Sequence, residues 1–420
     1  MNNLVPDGWE TTNISQTCDV FDSKRIPLNS QERASRKGEY PYYGANGVQG
    51  WIDGFIFEGE YVLLAEDGGN FDQWEQRPIS YLVKGKFWVN NHAHILKAKF
   101  DNETKFIHYS LVHKDILKHI NGGTRAKLNQ SDMRDIKFLR PPLLEQQKIA
   151  AILTSVDEVI EKTQAQIDKL KDLKTAMMQT LLTNGVGTKQ ASADGALNNR
   201  KGYIPHTEFK DSPVGRIPKS WEVKLLDSVV HKIIDCEHKT APYVDKSEYL
   251  VVRTSNVRHG ELVLDDMKYT HADGYAEWTK RAIPSLGDVL FTREAPAGES
   301  CLMPENTKVC MGQRMVLLRP DTNVILPNFF SLFLTSEVAA LAIYSLSIGT
   351  TVSRINIEDI KRIPYVVPPL SEQQEISNAI QSVQFSMLKK QKKLSTLYNT
   401  KKALMQDLLT GKVRVKLEAS

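Results

Sequence analysis

Two runs, Leu143–Asn184 and Leu370–Thr410, contain no glycine or proline, and each carries a heptad seam. In the first, Ile149, Leu153, Val156, Ile160, Thr163, Ile167, Leu170, Lys174, Met177 and Leu181 follow at alternating steps of four and three. In the second, Ile376, Ile380, Val383, Met387, Lys390, Leu394, Leu397, Lys401, Leu404 and Leu408 do the same. A seam sustained over a helix of about 60 Å is too long to bury on one small domain. Two such helices bury their seams on each other. Pro141-Pro142 and Pro368-Pro369 precede the runs, and proline is tolerated in a first turn because its missing N–H would be unpaired there anyway. Glu145 and Glu372 stand where the helix start favours a carboxylate. Gly185 and Gly411 supply the stops. Lys174 and Lys401 on the seam cost stability and help fix register.

The two runs are copies. A constant offset of 227 aligns Gly122–Asn184 with Gly349–Gly411 without a gap, and Pro141–Asn184 gives 19 identities in 44 positions. Chance would give roughly three at ordinary residue frequencies. Two copies are too few for a solenoid, so a pseudo-twofold protein is expected. Each copy also opens alike, Pro6 and Trp9 matching Pro218 and Trp221. Between opening and helix the copies diverge, and residues 25–115 do not align with 240–340 by sequence.

Both divergent blocks mix strand-like runs with turn signals and end in a helical pattern. In the first, "YPYYGANGVQGWIDGFIFEGEYVLLAEDGGNF" alternates aromatic and β-branched residues with Gly and Asn-Gly turns, and Lys105–Ile120 has helical spacing. In the second, "EYLVVRTSNVRHGELVLDD" reads as strand–turn–strand and Leu326–Leu346 as one helix. The expected class is α+β: two α/β heads separated by two long antiparallel coiled-coil helices in a pseudo-twofold tandem repeat. The expected borders are 1–141 and 216–368 for the heads, 142–184 and 369–411 for the helices, 185–215 for a linker and 412–420 for a tail.

The remaining chemistry is mostly subtractive. No P-loop, no Rossmann glycine fingerprint and no "NPP-aromatic" tetrapeptide is present. Cys18, Cys236, Cys301 and Cys310 form no C-x-x-C pair, which fits reduced thiols in a cytoplasm. His92 with His94, and Cys236 with His238, have no third ligand at a telling spacing, so no metal is expected. "AEDGGN" and "EAPAGES" place carboxylates in glycine-rich loops without pairing them as acid and base. No run of about 18 apolar residues suggests a membrane span. A net charge of +4 permits nucleic-acid binding without demanding it.

Candidate contacts to DNA lie in the divergent blocks and in two matched loops. The first block offers Lys24, Arg25, Tyr42, Tyr43 and Asn46; the second offers Lys239, Tyr243, Arg253, Asn256, Arg258, Arg293 and Arg314. Arginine can grip guanine edges, asparagine can read adenine, and lysine and threonine suit phosphates. The loops "GGTRAKLN" and "GTTVSRIN" add Thr124, Lys127, Thr351 and Arg354 at equivalent places. Close approach to a phosphate and a tight turn into a strand both fit them.

With "RIPKSWEVKLL" (Arg216–Leu226), "DIKFLRPPLLEQQKIAAIL" (Asp135–Leu153), "RIPYVVPPLSEQQEI" (Arg362–Ile376) and "QDLLTGKVRV" (Gln406–Val415), the chain resembles the specificity subunit of type I restriction–modification systems. "YPYYGANGVQGWID" and "DCEHKTAPY" resemble openings of that family's target-recognition domains. The resemblance covers essentially the whole chain. It implies a subunit without catalysis, in which each head reads one half of a split double-stranded DNA target and the helices set the gap. It also implies two modification subunits, which would hold S-adenosylmethionine and methylate adenine, together with restriction subunits. The residues alone would also suit a coiled-coil scaffold with two protein- or glycan-binding heads.

Overall fold

The computed structural model describes residues 5–122, 126–189, 203–349 and 353–417. The chain divides into two compact units, one of residues 1–166 with 391–420 and one of residues 167–390. Each border falls inside a long helix, so each unit holds one head, the first half of the helix that follows it and the second half of the other.

In the first unit, β1 (Glu10–Asn13) pairs antiparallel with the strand that leads into Pro141. The main sheet uses β2 (Cys18–Val20), β3 (Lys37–Gly44), β4 (Gly47–Ile52), β5 (Phe57–Ala65), β6 (Ser80–Val89) and β7 (Ala93–Ala98), in the spatial order β2-β7-β5-β6-β3-β4. Side chains alternate across a strand. Val62 and Leu64 of β5 therefore join one core while Tyr61 and Leu63 join another, on the opposite face. Helix α1 (Thr104–Leu111) covers the first of these faces through Phe106 and Ile107. β8 (Lys137–Arg140) then closes onto β1.

The second unit repeats this plan. β9 (Glu222–Leu225) pairs with the strand that leads into Pro368. β10 (Val230–Asp235), β13 (Val289–Thr292), β14 (Ser300–Leu302) and β16 (Met315–Pro320) form an antiparallel sheet in the order β10-β16-β13-β14. That is the arrangement of β2, β5, β6 and β7, in the same chain order. The heads differ in their insertions. β3 and β4 extend the first sheet, whereas β11 (Tyr249–Val252), β12 (Lys268–Thr270) and β15 (Lys308–Met311) build a separate three-stranded sheet. The lack of a sequence match between the blocks thus hides a common frame, because strands accept many apolar residues and insertions break the register of an alignment.

The helical patterns need two corrections. Helix α1 stops at Leu111, and Leu117–His119 forms a separate short turn. Leu326–Leu346 is two helices, α2 (Pro327–Leu334) and α3 (Glu337–Leu346), bent by 66°. Ser336 causes the break by capping α3, its Oγ accepting from Ala339 N. The last strand, β17 (Pro364–Val367), completes the pairing with β9.

The long helices span Leu143–Asn184 and Leu370–Leu408. Every seam position predicted above is buried or half-buried. In the first unit Ile149 and Leu153 pack in one core with Leu408 and Leu404, and Lys401 pairs with Asp157 at 2.6 Å. In the second, Leu181, Leu182 and Met177 pack with Ile376 and Ile380. The halves brought together run antiparallel in both units.

The repeated Glu-Gln pair ties helix to head. Glu372 Oε2 accepts from Trp221 Nε1 at 2.8 Å, and its Oε1 accepts from the N–H groups of Val186 and Gly187 and lies 2.9 Å from His206 Nε2. Glu145 likewise accepts from Trp9 Nε1 at 2.9 Å and takes Arg414 on both oxygens. Gln373 accepts from Leu326 N at 2.7 Å, where α2 begins; Gln146 accepts from Glu103 N at 3.0 Å, where α1 begins. Each glutamine also donates to the first carbonyl of its Pro-Pro pair.

The helix stops seat against these locks. Gly185 and Gly411 have φ of +70° and +68°, the left-handed region that glycine adopts without strain. A Cβ on Gly185 would lie 2.2 Å from Glu372 Oε1 and 2.9 Å from Trp221. Gly185→Ala is therefore expected to destabilise the protein by about 2 kcal/mol, from backbone strain and a displaced carboxylate. Urea unfolding checks this against Gly8→Ala, whose φ is +76° but whose Cβ would meet nothing.

Candidate nucleic-acid interface

At one end of the first sheet, the loop after β5 meets the loop that precedes the first long helix. Asp67 and Lys127 form an antiparallel backbone bridge, and Leu128 N donates to Glu66 O at 2.7 Å. Asn46, at the β3–β4 turn, donates to Gly68 O at 3.0 Å, and Asn90 donates to Gln49 Oε1 at 3.2 Å. The turns 44–47, 66–70 and 89–93 and the strand at Lys127 therefore share one rim. Lys127 Nζ lies 3.5 Å from Glu66 Oε1, and its side chain is half exposed.

Beneath this rim sits a buried polar cluster. Asp22 faces His94 Nδ1 at 2.6 Å, and accepts from Gln130 at 2.8 Å and Ile95 N at 2.9 Å. His94 Nε2 faces Leu128 O at 2.9 Å. Burial would raise the Asp22 carboxyl, but the His94 contact, Gln130 and Ile95 N outweigh it and hold the group below its usual range. Arg25 is spent inside the cluster, on Glu66 and Ala93 O. These bonds fix the base of the rim while leaving Lys127 and Asn46 at its surface.

The second unit builds the same corner from different residues. Glu294, after β13, bridges Arg354, which stands 227 positions after Lys127. Ala295 N donates to Ser353 O, and Arg293 N to Arg314 O at 2.8 Å. Buried Arg293 donates to both oxygens of Asp235 at 2.9 and 2.8 Å; His238 Nε2 lies 3.0 Å from Asp235 Oδ2. Arg314 pairs with Glu294 at 3.2 Å and keeps half its side chain exposed. His238, Ala295 and Arg314 have φ of +54°, +58° and +69°. Non-glycine residues in that region are uncommon, and their gathering in three adjoining loops marks a backbone held by its surroundings.

Asp22 and Asp235 did not stand out in the sequence; His94 did so only as half of a metal-ligand pair, and Glu66 and Glu294 only as unpaired carboxylates in glycine-rich loops. The available signal was the matched basic pair Lys127 and Arg354 together with a carboxylate in each glycine-rich loop; only the fold joins them. Asp22 with Glu66 and His94, and Asp235 with Cys236 and His238, carry metal-ligating atom types close together. Their carboxylates are engaged by Arg25 and His94 in one cluster and by Arg293 in the other.

The other candidates divide by what their polar groups touch. Asn46, Lys127, Lys239, Arg314 and Arg354 lie on or beside the rims with exposed side-chain surface. Tyr243 is exposed, and Lys24 lies over the Phe21 ring. Tyr42 is buried, its hydroxyl bonded to Leu28; Tyr43 packs on Phe87. Asn256 is fully buried and donates to Val263 O and Asp265 O. Arg253 pairs with Asp266, and Arg258 donates to Thr254 O and Val257 O. Thr124 and Thr351 lie outside the described residues. Exposed amides and cations on a held rim can meet base edges and phosphates.

Comparison with known proteins agrees with this build. The family model "Type I restriction modification DNA specificity domain" matches residues 6–172 and 218–399. The chain belongs to that family. Each matched stretch covers one head and much of the helix after it. The chain is 28% identical over 436 aligned residues to a putative type I restriction enzyme specificity subunit, MjaX, of Methanocaldococcus jannaschii, covering 98% of this chain and 95% of that one. It is 24% identical over 364 residues to a putative specificity subunit of Haemophilus influenzae, covering 86% and 84%. The crystal structure of the S subunit from M. genitalium superposes with a TM-score of 0.60 at 15% identity, covering 97% and 98%. The fold is thus that of a type I specificity subunit, a class concerned with DNA specificity, and a glycan- or protein-binding scaffold is not favoured. Among the described residues no single helix is long and apolar enough to cross a membrane.

Proposed function

We propose that the chain reads a bipartite, asymmetric double-stranded DNA target, one half with each head, and carries two modification subunits together with restriction subunits while catalysing no step itself. The observation that supports this most is a single frame built twice around different rims. Asp67–Lys127 and Glu294–Arg354 occupy the same corner, but the side chains around them differ. Unlike rims suit unlike half-sites, and equivalent helix faces suit two copies of one partner. Phosphate contacts would supply salt-dependent affinity, and a few base-edge contacts the specificity. S-adenosylmethionine and the transfer of its methyl group belong, in this reading, to the modification subunits. The complex would act in the cytoplasm, where its DNA is.

Sequencing that detects methylated adenine, in cells carrying the partner genes, tests the reading. A split motif should be methylated with the chain present and lose its methylation when the chain is deleted. An unchanged pattern after deletion would sink it.

A further inference from the structure

The two units share a frame but treat one place differently. In the first, a cavity of about 700 Å³ opens between residues 109–115, β8 and residues 401–410. Trp74, Phe138, Met405 and Leu409 give it an apolar lining, and Lys114, Lys137, Lys401 and Lys402 surround that lining. Lys401 is held by Asp157 and lies over the Tyr109 ring. No ion pair engages Lys114, Lys137 or Lys402 among the described residues, although Glu75 and Asp115 also line the cavity. Burial, with Lys118 nearby, lowers the Lys114 ammonium.

In the second unit the corresponding helix surface is covered. Gln146 and Gln373 mark the same point at the starts of α1 and α2. Counting on from there, residues 113–115 stand where 336–338 do, the start of α3. Met405, Gln406 and Leu409 correspond, at the offset of 227, to Met178, Gln179 and Leu182. Gln179 touches Glu337 of α3 at 3.4 Å, Leu182 is buried, and Met178, Val338 and Leu346 each pack against the same core. A largely apolar helix that begins with a glutamate thus fills in one unit the place that lies open, apolar and ringed by lysines in the other.

We propose that the open groove of the first unit receives an acidic amphipathic helix of another protein chain, one per specificity subunit. The apolar lining matches the face that α3 buries through Ala339 and Ile343, and the lysine ring complements an acidic outer face. A partner that also met the second unit would find this place already occupied there, so the contact would occur once.

The test uses the full chain and a stapled peptide copying Glu337–Leu346, with Leu341→Glu and Tyr344→Glu at two of its solvent-facing positions. Fluorescence anisotropy should show saturable binding of one peptide per chain, weakening as salt is raised. Lys137→Glu with Lys402→Glu, both on the exposed surface, should weaken it at least tenfold. A peptide with lysine at the three glutamate positions should bind this double variant better than the parent chain. No binding, equal binding to both proteins, or binding of a short DNA duplex or inorganic pyrophosphate by these lysines in place of the peptide would overturn the proposal. Circular dichroism melting should show the double variant folded; if it is not, Leu409→Glu takes its place as the second variant, with the same tenfold loss expected.

Discussion

Glu372→Ala is expected to cost about 3–5 kcal/mol of stability, the range for removing one partner of a buried charge network. The carboxylate is 5% exposed and serves the Trp221 indole, two backbone N–H groups and His206. Truncation leaves all of these inside the protein without an acceptor, and each buried donor without a partner costs about 1–3 kcal/mol. Glu372→Gln keeps the shape and one acceptor oxygen, so it should cost less. Glu145→Ala should also cost less, because Arg414, its main charged partner, is 43% exposed and can turn to water. Urea unfolding gives the loss, and hydrogen exchange should place it in residues 167–390 first. An equal loss for both alanine variants would contradict the argument.

The second large effect concerns DNA specificity and rests on the proposed function. Four residues inserted between Glu161 and Asp168, with four at the matching place between Leu388 and Ser395, lengthen each helix by about 6 Å and add about 40° of turn. Methylation of the native target should fall by roughly a hundredfold or more, comparable to losing several base contacts. The same two half-sites with a different gap should then be methylated instead. Altered half-sites, with the gap unchanged, would refute the division between heads that read and helices that measure.

Much of this architecture was legible in the sequence, for a physical reason. A long helix leaves a periodic trace, since every turn must put an apolar group on the seam, and the seam from Ile149 to Leu181 could be read residue by residue. The frame of the heads was not legible. A strand buried on both faces, such as β5 or β13, needs only a run of apolar residues, and many runs serve equally. The break at Ser336 was visible only as a serine in an apolar stretch, and serines also occur inside helices. The rims were least legible. Asp22 meets His94 across 72 residues and Arg293 meets Asp235 across 58, and nothing local in "FDSKR" or "IDCEH" announces those partners. Asn256 shows the converse: its residue type suggested reading, while its place in the fold commits it to its own loop.

The position of the unit borders has a consequence for how such chains can change. Residues 167–390 form a contiguous cassette holding a whole head, both flanking half-helices and a complete Trp221–Glu372 lock. Its edges lie inside the duplicated helices, where few residues are identical but the seam positions match at a constant offset. Genetic exchange inside the helices, rather than at the edge of a head, would carry a recognition surface together with every residue that anchors it. The graft would meet the same seam on arrival. A new specificity could then be acquired by one exchange, with a crossover in each helix, without renegotiating the packing of the protein.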